Sequence, residues 1–225
     1  YGANVVLVGR TRGRLETVFD WVENNTATQP VIVPCDLELL SEEACTALRD
    51  AIEDSYGTLE GIVHNASALG PRTPIAHYPR GEWKKLMNVN VEAPFALTQA
   101  LLPLLEQADD ASVIMTSSSV GRQGRAYWGA YSVSKFALEG LTQVLADELE
   151  NAGVVRVNSV NPGGTRTAMR AAAYPAESPA DVPTPESRMD IYLYLFEQAS
   201  LSLTGAQLDA RTWNGPTHSA AAPAS

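Results

Sequence analysis

Short apolar runs alternate with helical stretches along nearly all of this 225-residue chain. Val5 to Val8, Val31 to Val33, Leu59 to His64, Ser112 to Thr116 and Val154 to Val160 read as strands. Between them, helical patterns run from about Arg12 to Asn24, Ser41 to Tyr56, Gly81 to Leu105 and Tyr131 to Leu149. A strand that is apolar throughout is buried on both faces. The alternation therefore predicts parallel β-structure covered by helices on each side. Ser41 can cap its helix, with Glu42 and Glu43 in the first turn, where the helix dipole favours acids. Pro94 must bend or interrupt the third helix, because it lacks an N–H and clashes with the preceding turn.

After Pro162 the pattern loosens. Pro175, Pro179, Pro183 and Pro185 crowd one stretch, which reads as a surface loop with the composition of a mobile lid. A helix from about Pro185 to Glu197 and a short strand near Gln207 to Asp209 close the domain. Residues 1–214 read as one domain, and 215–225 as a disordered Ala/Pro/Ser tail. A net charge of −10 argues against nucleic acid and against an anionic membrane surface as partners. No stretch approaches about 18 apolar residues in a row, so none reads as a membrane span. Cys35 and Cys45 have no redox or metal spacing, and His64, His77 and His218 are scattered, so no metal site is expected. Two reduced cysteines suit a cytoplasmic protein.

Lysine is scarce here: Lys84, Lys85 and Lys135 are the three. Lys135 stands four residues after Tyr131. Eight tyrosines and three lysines give a Tyr-x-x-x-Lys pair by chance about 0.1 times in such a chain. On a helix these two positions share a face. A free phenol titrates near 10, and a close ammonium lowers it by roughly 1–3 pKa units. Tyr131 is therefore a candidate proton donor to a developing alkoxide, or base for an alcohol.

Other polar groups fall at strand ends, the rim where ligands of parallel sheets bind. Ser117, Ser118 and Ser119 follow one strand, and Asp36 closes another. His64-Asn65-Ala66-Ser67 and Asn161-Pro162-Gly163-Gly164-Thr165 close two more. Small and amide residues there let a flat cofactor lie against the backbone.

With these residues the chain resembles the short-chain dehydrogenase/reductase family over nearly its whole length. The stretches SSSVGRQGRAYWGAYSVSK and NPGGTRTAMR make it most similar to the bacterial YciK-type oxidoreductases within that family. The resemblance implies a Rossmann-type doubly wound parallel sheet, an αβα sandwich of three layers. It implies a hydride passing between a nicotinamide and a small-molecule carbonyl or alcohol. It places the catalytic tyrosine and lysine on Tyr131 and Lys135, with Lys135 also holding the nicotinamide ribose. It places the catalytic serine on Ser118, thirteen residues upstream of Tyr131, and on Asn90 the asparagine that anchors a proton-relay water. Asp36, with Leu37 beside it, falls at the adenine. Asn65, Ala66, Pro162, Gly163, Thr165 and Thr167 fall along the cofactor toward its nicotinamide end. The segments 83–105 and 131–149 match the helices through which family members pair, so a homodimer or homotetramer is implied.

NAD-preferring members usually end the second strand with an acid that binds the ribose 2′-hydroxyl. Here Gly9-Arg10-Thr11 stands in that place, and Arg10 can pair with a 2′-phosphate. NADP(H) is therefore expected over NAD(H). The family's opening strand, glycine loop T-G-x-x-x-G-x-G and first helix have no counterpart in this sequence. The strand at Val5 is then expected not to pair with the strand at Leu59, and the helix end that binds the pyrophosphate is lacking. The chain as written is expected to be poorly stable and to bind cofactor weakly or not at all. Two other readings follow: a dinucleotide-binding module without turnover, or an inactive fragment. Serine at 67, where the family has glycine, tests whether that position needs a positive φ. Asp209-Ala210-Arg211 replaces the family's D-G-G, so the C-terminal edge is expected to be rearranged.

Overall fold

The computed structural model describes residues 1–218. Its contacts divide into two compact units, residues 1–40 and 41–218. In the first, β1 (Val6–Gly9) leads through α1 (Arg12–Asn25) to β2 (Val31–Pro34). The two strands are parallel, with Val6 opposite Val31 and Gly9 opposite Pro34. This is a right-sized βαβ crossover. None of the α1 residues is fully buried, and Val18 and Trp21 stay exposed.

The second unit carries α2 (Glu42–Tyr56), β3 (Gly61–His64), α3 (Arg80–Met87), α4 (Ala93–Glu106), β4 (Ala111–Thr116) and α5 (Gly129–Leu149). It continues with β5 (Val155–Asn161), α6 (Ala168–Ala173), α7 (Met189–Tyr194) and β6 (Gln207–Asp209). Its sheet runs β3-β4-β5-β6, parallel throughout, and β1 pairs with β2 alone, as expected for the strands at Val5 and Leu59. Every residue of β4 and β5 is buried, as central strands covered on both faces are. The period of two sorts their side chains. Val113, Met115, Val155 and Val157 pack with Leu105 and Leu138 on one face. Ile114 and Val160 pack with Ile191 and Leu195 on the other. Full burial of each such side chain stabilises the fold by about 1.5–3 kcal/mol.

One buried charge interrupts β5. Arg156 is 3% exposed, and its guanidinium grips both carboxylate oxygens of Asp110, at 3.0 and 2.9 Å. Its remaining Nη1 donates to the Leu195 carbonyl and to Ser200. This explains a correction. The helix expected to reach Glu197 stops at Tyr194, because Leu195 turns its carbonyl to Arg156 and the chain tightens through three-residue turns. The stretch read as a loop also contains a helix, α6, which Thr167 caps by accepting from Arg170 N–H at 3.1 Å.

Ser41 caps α2 as expected, accepting from Ala44 N–H at 3.2 Å. The long helix around Pro94 is interrupted as expected, but by a π-helical turn over Asn88–Glu92, with Pro94 in the first turn of α4. Pro94 has no N–H to offer the carbonyl four residues back, and that carbonyl belongs to Asn90. Of the expected tail, residues 219–225 lie outside the described residues, while His218 N–H donates to Asp190 at 2.7 Å.

Candidate active site

The carboxyl ends of β3, β4 and β5 and the start of α5 bring the expected residues of the second unit together. Gly129 opens α5 at φ +44°, where a Cβ would come within 2.3 Å of the Tyr78 ring. Tyr127, just before it, is the one non-glycine residue with positive φ among the described residues. Such strain gathers at functional sites. Tyr131 and Lys135 follow one turn apart, both buried.

Lys135 Nζ donates to the Thr116 carbonyl at 2.7 Å and lies 5.6 Å from the centroid of the Tyr131 ring. Burial lowers its ammonium to about 8, against the opposing pull of Glu139 one turn further along α5. It is therefore still charged at neutral pH. Glu139 is itself held by Arg122 Nε at 2.8 Å and by the Ser159 hydroxyl at 2.7 Å.

Of the three serines, the structure favours Ser118. Its hydroxyl is near enough to the Tyr131 phenol to favour the phenolate, against the effect of burial. Ser119 is exposed, while Ser117 is buried with a hydroxyl that has no partner among the described residues. The approach of Ser118 depends on Gly121. A Cβ there would sit 2.6 Å from Lys135 Cβ and 2.8 Å from its carbonyl carbon. Only glycine lets the 3₁₀ turn Ser119–Gly121 lie directly on α5.

The expected effect of Lys135 on Tyr131 is not what the structure has. The phenol is raised, not lowered. Burial is the main cause, and the nearby Ser118 hydroxyl opposes it. The ammonium is spent on the Thr116 carbonyl instead.

Asn90 is 1% exposed in the π-helical turn. Its Oδ1 accepts from Ala68 N–H at 2.7 Å, and its Nδ2 donates to the Ala68 carbonyl at 2.9 Å and to Ser134 Oγ at 3.0 Å. It thus ties the loop after β3 to α5. In that loop Asn65 and Ala66 are exposed, and Ser67 has no positive φ, so its substitution for glycine is unstrained. His64 before them is neutral: burial lowers it to about 4. Thr98 gives its one hydroxyl proton to the Pro94 carbonyl, so the His64 Nε2 at 2.8 Å must be the donor.

At the end of β5, Gly163 adopts φ +71° and donates its N–H to Asn161 Oδ1 at 3.0 Å. Asn161 Nδ2 donates to Asp209, and Asp209 receives Arg211 through both oxygens, at 2.9 and 2.6 Å. This pairing stands where the family has D-G-G and holds Asp209 down at about 2. Pro162 and Thr165 flank Gly163 half-buried, and the Thr167 hydroxyl caps α6. Arg10, Asp36 and Leu37 belong to the first unit. Arg10 is exposed at the end of β1, and Asp36 Oδ1 accepts from Glu38 N–H at 3.1 Å. Among the described residues no group of three or more His, Cys, Asp or Glu could hold a metal, and no helix is long and apolar enough to cross a membrane.

Sequence reasoning missed an aromatic wall around Tyr131. Trp128 lies 5.7 Å from its ring and 6.1 Å from that of Tyr174. Tyr78, Trp83 and Met169 pack against the same cluster. The signal was the tryptophan in GRAYWGAY, three residues before Tyr131 and hence on its side of the helix start.

Comparison with known proteins decides the family. The family model described as short chain dehydrogenase matches residues 1–178. The chain belongs to the short-chain dehydrogenase family. It is 47% identical over 216 residues to the Escherichia coli protein named uncharacterized oxidoreductase YciK, covering 96% of this chain and 85% of that one. A Shigella flexneri short chain dehydrogenase solved with NADP superposes with TM-score 0.91 at 47% identity, over 94% of this chain and 87% of that one. An Escherichia coli relative solved with NADPH gives TM-score 0.91 at 48% identity, with the same coverages. The fold is accordingly the Rossmann-like parallel sheet of short-chain dehydrogenases.

Proposed function

We propose that the chain is an NADP(H)-dependent oxidoreductase acting on a small carbonyl or alcohol, with Tyr131 as its acid and base. The observation that carries this reading is the buried, charged Lys135, tied to the Thr116 carbonyl one turn from the Tyr131 phenol on α5, with Ser118 beside that phenol. Bound nicotinamide supplies the hydride chemistry. Tyr131 gives its phenolic proton to the substrate oxygen in reduction and recovers it in oxidation. Ser118, within hydrogen-bond reach of the same phenol, polarises that oxygen. Lys135 keeps positive charge at the rim, where it holds the nicotinamide ribose. The Asn90 carbonyl, left without its helical donor by Pro94, is the acceptor for a proton-relay water.

The residues of the second unit fit the nicotinamide end of the cofactor. Ser117 leaves a buried hydroxyl unpartnered at the end of β4, and the Pro162–Gly163 turn offers backbone beside it in sheet order. Asn65, Ala66, Pro162, Gly163, Thr165 and Thr167 would hold the nicotinamide half, and Asp36 and Leu37 the adenine. Arg10 would take the 2′-phosphate, and the NADP and NADPH found in the two relatives support that preference.

The test is NADPH oxidation by the full-length gene product against a panel of aldehydes and ketones, alongside Tyr131→Phe. Turnover lost in the variant supports the reading. NADPH binding without any turnover would make the protein a dinucleotide-binding module. For the cofactor, NADPH should bind more tightly than NADH, and Arg10→Ala should remove the difference. The cytoplasmic setting and a homodimer or homotetramer complete the proposal. Exposed Phe95 on α4 and Val133, Phe136 and Val144 on α5 support pairing through those helices. Light scattering of Phe136→Asp, expected to dissociate, checks it.

A further inference from the structure

Arg72 stands in the loop after β3, two residues beyond Gly70, which holds that loop at φ +66°. Its guanidinium carbon lies 4.7 Å from the centroid of Trp128 and 5.1 Å from that of Tyr174. Its Nη1 donates to the Ala173 carbonyl. The Trp128 ring in turn lies 5.7 Å from that of Tyr131. One aromatic ring therefore separates this cation from the proposed acid.

The neighbouring arginine is in a different state. Arg170 stacks on the other contact of Tyr174, at 3.8 Å, but Glu177 grips it through both oxygens at 2.6 Å. Its charge is cancelled locally. Arg72 has no carboxylate partner among the described residues and remains exposed. A guanidinium has five N–H donors in a fixed fork. The rings occupy its faces and Ala173 one donor, so the rest of the edge is open to an acceptor. That geometry suits a carboxylate, which a guanidinium fork receives through two parallel hydrogen bonds. A chain of net charge −10 repels anions, so admitting one to this site requires such a local cation.

We propose that Arg72 is a specificity-determining residue and that the substrates are carbonyl or hydroxy compounds bearing a carboxylate. This rests on the oxidoreductase reading for the reaction, though not for the binding. The carboxylate is a spectator: the hydride adds to the carbonyl carbon, the Tyr131 proton goes to its oxygen, and the acid group stays ionised on Arg72.

Two measurements on the full-length protein separate the claims. In the first, benzoate and benzamide are titrated calorimetrically into the protein, Arg72→Gln and Arg72→Lys. Benzoate should bind at least tenfold more tightly than benzamide, Arg72→Gln should level the two, and Arg72→Lys should keep part of the preference. Equal binding by the unaltered protein overturns the proposal. In the second, 4-carboxybenzaldehyde and its methyl ester are compared as substrates with NADPH. The acid should be favoured at least tenfold in kcat/KM, and Arg72→Gln should remove the preference mainly through KM. A loss shared equally by acid and ester means that Arg72 only braces Trp128 and Tyr174, and overturns the proposal. Arg72-dependent benzoate binding with no turnover of either aldehyde sinks the oxidoreductase reading and leaves the carboxylate site standing.

Discussion

Lys135 Nζ donates to the Thr116 carbonyl at 2.7 Å, which ties the ammonium of α5 to the last residue of β4. This bond positions the charge, and burial taxes it. The folded lysine titrates near 8, against 10.5 for the ordinary side chain. Between those values the unfolded chain holds one more proton than the folded one, so stability rises with pH across the window and is lowest below it. Lys135→Met should then be more stable than the parent at pH 7, by on the order of 2 kcal/mol after allowing for the orphaned Thr116 carbonyl. Activity should be lost. Urea midpoints at pH 7 and pH 10 check this; a variant less stable at pH 7, or an unchanged pH slope, contradicts it.

Ser118 opposes the rise that burial imposes on Tyr131. Ser118→Ala should therefore move the limb on which alcohol oxidation rises with pH to higher pH, and reduce kcat on the order of 10²-fold. Tyr131→Phe should cost more, roughly 10²–10⁴-fold, with no such limb left. The pH profiles of the three proteins, measured side by side, decide it. An unmoved limb in Ser118→Ala removes Ser118 from the acid–base unit.

Gly121 separates a structural effect from a chemical one. The alanine Cβ would meet Lys135 backbone and Cβ, neither of which can swing aside. Gly121→Ala should destabilise the fold by about 1–3 kcal/mol as an overpacked contact. It should also lift Ser118 from Tyr131 and lower kcat more than it changes KM. Thermal melting with steady-state kinetics reads both; unchanged melting and turnover would show that the turn has room.

Pro94→Ala restores an N–H four residues after Asn90. The π-helical turn should revert to α-helix, with stability held or raised, while the Asn90 carbonyl acquires a partner. On the proton-relay reading kcat falls on the order of tenfold and its solvent isotope effect changes. Wild-type turnover together with a raised melting temperature would assign the π turn to packing alone.

Much of the scaffold was legible because it rests on local rules. The apolar residues of β4 and the alternating valines of β5 marked both strands, so their place could be read from local pattern. Tyr131 and Lys135 announced themselves by spacing, and the family resemblance picked Ser118 out of three neighbouring serines. What escaped was decided at long range. Arg156 looks like an error inside a buried strand until Asp110 and Ser200 supply its partners from 46 and 44 residues away. It also stops α7 early, which no local pattern could show. Pro94 marked a break, yet nothing in its neighbours said that the break would be a π turn. The direction of the Tyr131 shift was misread for a related reason: spacing placed an ammonium nearby, but only the folded structure shows it committed to Thr116 and the phenol buried.

The proton-handling groups and the aromatic wall sit on different kinds of structure. Tyr131 and Lys135 are turns of one long helix braced against two fully buried strands, whereas Arg72 and Tyr174 stand on connecting segments. On the proposed reading a change at 72 alters which substrates bind, while a side chain at 121 is opposed by the Lys135 backbone a few ångströms away.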